Sequence, residues 1–284
     1  MALIVVLVVL LIPILAAVAV IGVAGGPVRR RRLARFAQRQ GLVISAANGA
    51  QVIRYLAVTR RWRTTGVAAG IAVPIAISEI EARLRGGTFG LNFSTMFAGW
   101  FVGAIIAEFR LSAAPVGAHR VASLRPRTPR RYLGPLPWIA LGLSLAVVWI
   151  LTGVLLVVRD DRLVHLVPAL IATVTVIVVR VVARRVVDRP QPHQPIDQLA
   201  ADDAIRSRSV HVLCGSGLAV TLLSLATIFL DMVVSTGSAD RVLVGIGILM
   251  TLAAPVIGYC VATARFRVAD ESGAAAAESV VVGA

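Results

Sequence analysis

Few side chains here are of a kind that does chemistry, and their spacing limits what that chemistry can be. Cys214, Gly217, Thr221, Ser224, Thr227 and Asp231 fall on one helical face, within a band of about 140° at 100° per residue. A row of hydroxyls ending in a carboxylate can line a path for a small neutral or anionic solute, with Thr221, Ser224 and Asp231 as the binding groups. The same row can instead bond neighbouring helices or its own backbone carbonyls. His211 stands one turn before Cys214, and Cys260 is expected at similar depth. Three nitrogen and sulfur donors suit a soft metal ion. No fourth donor is in reach, so neither a metal nor a cofactor is assigned.

The stretch "FAGWFVGAIIAEFR" (97–110) ends an apolar run in a carboxylate, Glu108, two residues before Arg110. Residues two apart do not face each other on a helix. Glu108 is therefore expected to form an interfacial ion pair with an arginine from 54–63 or 120–131. Thr95, Gly99, Gly103 and Ala107 recur every fourth residue along the same segment. Small residues on one stripe let helix backbones approach closely in lipid. They are expected to form a helix-packing face, within the chain or between copies of it.

Enzyme chemistry finds no motif. The chain has no HExxH, no glycine-rich phosphate loop and no nucleophile beside a base, and its four histidines are scattered. All 29 basic residues are arginine. Without lysine there is neither a Schiff-base amine nor a P-loop ammonium. No catalytic residue is assigned, and the reading leans away from an enzyme.

The elements that must position these residues are membrane helices. The 284 residues are 58% hydrophobic and 15% charged, against about 25% charged in an ordinary soluble domain. Runs of roughly 20 apolar residues are what a helix needs to cross about 30 Å of hydrocarbon. The fold class expected is an all-α, polytopic transmembrane bundle in one domain, residues 1–264. Spans are placed at 3–26, 66–80, 91–109, 138–158, 163–182, 210–234 and 242–262. Arginine-rich loops follow at 27–64, 110–136 and 183–209, and a disordered tail at 265–284.

Charge sets the orientation. "RRRR" directly after the first span holds that side in the cytoplasm. Seven spans, N-terminus out and C-terminus in, put 24 of the 29 arginines inside and five outside. Leaving out the short run at 66–80, with its Pro74, would move the six arginines of 110–131 outward, against the positive-inside rule. Glu108, His165, Arg180, His211 and Asp231 all lie near span ends. A mid-span charge usually marks an ion or proton path, and its lack argues against a coupled transporter.

The inner segments carry detail of their own. "ANGAQVIRYLAVTRRWR" opens on an expected N-cap, Asn48, and alternates apolar residues with Arg54, Arg60, Arg61 and Arg63. Such a helix suits the headgroups of an anionic inner leaflet. In "DRPQPHQPIDQLAADDAIRSR" a proline-rich turn leads into a short helix where Asp202 and Arg206 can pair. "LGLSLAV" (141–147) and "CGSGLAV" (214–220) form a weak internal echo.

"ANGAQVIRYLAVTRRWR", "AGWFVGAIIAEFR", "RVASLRPRTPRRYLGPLPW" and "ADDAIRSRSVHVLCGSGLAV" together resemble a group of actinobacterial multi-pass membrane proteins, over roughly residues 25–265. The resemblance implies a bacterial cell-membrane location. The group has no assigned activity, so it lends no functional residues. The function expected is a non-enzymatic scaffold or accessory component whose arginine-rich inner face meets anionic lipid. The alternative is a permease component using the polar face of the sixth span. The partners expected are lipid and a second copy or another membrane protein, not nucleic acid.

Overall fold

A computed structural model describes residues 22, 25–85, 93–112, 128–158, 162–189, 196–235 and 240–265. Among them the chain is all-helical, with α1 (Arg30–Gln40), α2 (Gly49–Arg85), α3 (Phe93–Ser112), α4 (Pro129–Tyr132), α5 (Pro135–Val158), α6 (Arg162–Asp188), α7 (Ile196–Ser235) and α8 (Arg241–Thr263). Four segments are long and apolar enough to cross a membrane: Pro135–Val158, His165–Asp188, Asp197–Val234 and Arg241–Thr263. Of the later four expected spans, 138–158, 210–234 and 242–262 fall within these, and 163–182 begins two residues before His165. The expected span at 66–80 lies in α2, and residues 93–109 of the one at 91–109 lie in α3; neither helix is among these four segments. The first span and the tail lie almost wholly outside the described residues.

The bundle is built around α7. Nearly every residue from Ala201 to Ala226 is buried, and α3, α5, α6 and α8 all pack on this helix. Consecutive long helices run antiparallel. Val187 at the end of α6 meets Arg206 near the start of α7, and His165 at the start of α6 meets Asp231 near the end of α7. The outer faces are apolar. Val167, Leu170, Val174, Ile177 and Val181 form an exposed stripe on α6, and Leu249, Leu252 and Val256 form one on α8. Their three-and-four spacing marks a helix face, and stripes of this size belong against lipid rather than water.

Two helix pairs are joined through glycine. A Cβ added at Gly99 or Gly103 of α3 would strike the backbone of α2 at Gly66 or Trp62, and one added at Gly66 or Gly70 would strike α3 in return. Gly215 of α7 and Gly258 of α8 meet in the same way. With no hydrophobic force between helices in lipid, this backbone contact supplies the attraction.

Two helices are longer than a bilayer core is thick. At about 1.5 Å per residue, the 37 residues of α2 span roughly 55 Å, against about 30 Å of hydrocarbon. The amphipathic stretch at 49–63 and the expected span at 66–80 are thus one continuous helix. Likewise, the segment expected to begin at Val210 is the later part of the 40-residue α7. The extra turns build a second, smaller core from Phe36, Val52, Tyr55, Ala201, Ala204 and Ile205. Asn48 precedes α2, as expected of an N-cap, but its side chain turns back. Its Oδ1 accepts from Ser45 N–H at 2.9 Å, and its Nδ2 donates to the carbonyls of Val43 and Asp197. It fastens the loop to the start of α7.

Candidate functional site

The arginine-rich end of the bundle holds a half-open cavity of about 340 Å³ between α1, α2, α7 and α8. Helix α1 supplies Arg32, Arg35 and Arg39, which lie on one face at i, i+3 and i+7. It closes at Gly41, whose φ of 60° is left-handed, a conformation that glycine adopts without strain. Helix α2 supplies Tyr55, Thr59, Arg60 and Arg63 at helical spacing, α7 supplies Arg208, and α8 supplies Tyr259 and Thr263. The lining thus holds six arginines and, among the described residues, no aspartate or glutamate.

The arginines are held in place from behind. Phe36 packs on Tyr55 with ring centroids 5.9 Å apart, and the Tyr55 hydroxyl lies 3.3 Å from that of Ser209. Thr59 bonds the carbonyl of Tyr55 at 2.8 Å. Arg60 donates to the carbonyls of Gly26 and Pro27 ahead of α1. Arg208 donates to the carbonyl of Ala262 at the end of α8. The Nε and Nη2 of Arg63 are buried and have no hydrogen-bond partner among the described residues, and the same is true of Gln40 Oε1. Burial, and then the guanidiniums of Arg60, Arg35 and Arg29, hold Arg32 below the usual arginine value. Like charges so close disfavour one another. The arrangement can take up an anion.

The expected headgroup arginines divide. Arg60 and Arg63 line the cavity, whereas Arg54 and Arg61 are exposed away from it. Interleaved spacing alone read these four as one stripe. On a helix, positions 54 and 61 lie within about 20° of each other, and 60 and 63 are turned roughly 100–180° away from them. The signal for the cavity was the i, i+3, i+7 pattern in "RRRLARFAQRQ", hidden by treating 27–47 as loop.

Glu108 is not the exposed interfacial anchor expected. It is 2% exposed, and its oxygens have no hydrogen-bond partner among the described residues. Its polar neighbours are Ser209, Arg63 and Arg189, and neither oxygen bonds an arginine among the described residues. The cause is the length of α2 and α7, whose polar turns continue past the apolar spans and cover this rim with protein. Thr95, Gly99 and Gly103 lie along the α2–α3 seam, and Ala107 is fully buried.

The polar face of α7 is committed internally. The hydroxyls of Thr221 and Ser224 are buried and bond the carbonyls of Gly217 and Val220 at 3.0 and 3.1 Å. Asp231 Oδ2 lies 2.5 Å from His165 Nδ1. Cys214 is buried and Cys260 is exposed on α8. No group of three or more His, Cys, Asp or Glu is placed to hold a metal ion among the described residues.

Between α6 and α7 is a buried polar lock that sequence reading saw only as one pair. Arg206 is 0% exposed. It donates to Asp202 at 2.8 Å and to the carbonyls of Val187 and Arg189 at 2.6 and 2.7 Å. It thereby caps the carboxyl end of α6, where a cation is favoured. Asp202 also takes Arg189 at 3.0 Å.

Fold and cavity together define an all-α protein with four apolar helices of membrane-crossing length and an arginine-lined pocket at one end. No known family matches its sequence, and no curated protein or solved structure is similar enough to serve as a comparison.

Proposed function

We propose that this is a multi-pass protein of the bacterial cell membrane that works by binding rather than catalysis. Its arginine-rich end faces the cytoplasm and engages anionic lipid, so that the bundle serves as a scaffold or accessory component at the inner leaflet. One observation carries this reading: six arginines line a single cavity with no carboxylate among them. An inner leaflet rich in anionic lipid attracts such a surface by about 1 kcal/mol per basic residue. The inside placement rests on the arginine bias of the sequence.

The test is lipid selection. Protein purified into mixed phosphatidylcholine and phosphatidylglycerol nanodiscs is expected to enrich the anionic lipid around itself, and rising salt should reduce the enrichment. Equal retention of both lipids at low salt would refute the reading.

A further inference from the structure

We infer that the cavity is a discrete site for one multiply charged phosphate group, a phosphomonoester or a diphosphate, rather than part of a diffuse basic surface. This inference rests on the anionic-ligand reading above and narrows it.

Three observations lead there. The first is the density of charge. Arg32, Arg35, Arg39, Arg60, Arg63 and Arg208 share one cavity, and a phosphodiester's single charge balances little of that. A group bearing two or more charges balances more, and guanidinium forks match phosphate oxygens in pairs. The second is Arg63. Its Nε and Nη2 form one edge of the guanidinium, and both are buried without a partner among the described residues. A buried donor left unsatisfied is costly, and the neighbouring Glu108 carboxyl does not bond it; turned toward the cavity that Arg63 lines, this edge would meet two oxygens of a phosphate. Gln40 Oε1, on the same wall and also without a partner, offers an acceptor for a hydroxyl beside the phosphate.

The third is size and place. A volume of about 340 Å³ lies at the small end of ligand pockets, about 300–1,000 Å³. It admits a phosphorylated headgroup or a small diphosphate but no acyl chain. Tyr259, on the cavity wall, is exposed four residues before the end of α8, where a lipid carrying the headgroup could lay its chains. A lipid phosphate and a soluble phosphate share this chemistry, and experiment separates them.

The full chain in phosphatidylcholine nanodiscs would be titrated calorimetrically with inorganic pyrophosphate. In parallel, discs containing phosphatidic acid or phosphatidylglycerol would be compared by lipid retention in native mass spectrometry. Saturable pyrophosphate binding at one per chain supports the site with a soluble ligand. Retention of one phosphatidic acid in preference to phosphatidylglycerol supports it with a lipid one. The absence of both results would overturn it. Arg63→Gln and Arg32→Gln are each expected to weaken binding by about tenfold, the worth of one charged hydrogen bond. Arg54→Gln and Arg61→Gln remove the same charge from α2 outside the cavity and should change it less than about twofold. If all four variants lose binding equally, the discrete site is overturned while the anionic-face reading survives. If none loses any, both fall. Arg32 lies on an exposed turn of α1, so its variant still decides the matter should Arg63→Gln fail to fold.

Discussion

Gly99 of α3 lies against Gly66 of α2 with no side chain between them, so the two backbones touch. Gly103 meets Trp62 and Arg63 one turn further along. The seam leaves no room for a side chain, and neither backbone can yield without moving its helix. Gly103→Leu should therefore disrupt assembly, since even ordinary overpacking costs about 1–3 kcal/mol and here the obstacle is backbone. Glu108→Gln keeps the shape of a buried carboxyl group whose oxygens have no hydrogen-bond partner among the described residues. Size-exclusion profiles and thermal melts in detergent should rank Gly103→Leu as much the more damaging. The reverse ranking, with folding intact, would make Glu108 a functional residue.

The lock around Arg206 makes a different prediction. Asp202→Ala leaves a fully buried guanidinium without its carboxylate, and breaking a buried pair in this way costs about 3–5 kcal/mol. Replacing both partners with apolar residues of similar volume should recover much of that loss, because the pair itself gains little over packing. The loss of Arg206 would still leave the carbonyls of Val187 and Arg189 uncapped, so the recovery should be incomplete. Melts of Asp202→Ala and of Asp202→Leu with Arg206→Met would show this. A single variant as stable as the parent would mean the lock contributes nothing.

How much of this was legible in sequence depends on range. The α2–α3 seam could be half seen, because Thr95, Gly99, Gly103 and Ala107 repeat every fourth residue. Their partners, Gly66 and Gly70, share that spacing, but nothing local says that the two stripes meet. Asp202 and Arg206 were paired correctly because i, i+4 is a local rule. The other ligands of Arg206, at Val187 and Arg189, come from another helix and were out of view. The cavity was missed for the same reason. Its arginines come from α1, α2 and α7, and each set looked like ordinary positive-inside charge. The burial of Glu108 depended on how far α2 and α7 continue past their apolar cores, and composition does not report that.

Tyr132 links α4 to α7 and should give the protein an alkaline limit. Its hydroxyl donates to Asp203 Oδ1 at 3.0 Å. Burial, and then the neighbouring Asp203 carboxylate, push the phenol up to about 12, from about 10 in an unfolded chain. A raised value means that the folded state holds the proton more tightly. The stabilisation is then complete below about pH 10 and is lost as pH rises towards 12. Tyr132→Phe removes both the hydrogen bond and the titration. The variant should melt lower at neutral pH, and its melting temperature should fall less than the parent's between pH 9.5 and 11.5. Parallel pH profiles would show that Tyr132 is not the group responsible.

Orientation is the remaining test, because the inner-leaflet reading depends on it. The arginine bias puts 24 of 29 arginines on the cytoplasmic side when 66–80 and 91–109 both cross. Gly87 then falls on the outer side and Ser123 on the inner. Both positions lie outside the described residues, so their exposure must be measured directly. In a background with Cys214 and Cys260 replaced, a cysteine at Gly87 should react with an impermeant maleimide in intact cells. One at Ser123 should react only after the membrane is opened. Labelling of Ser123 from outside would invert this end of the bundle. The arginine cavity would then face away from the cytoplasm, and its ligand would have to be sought among anions on the other side.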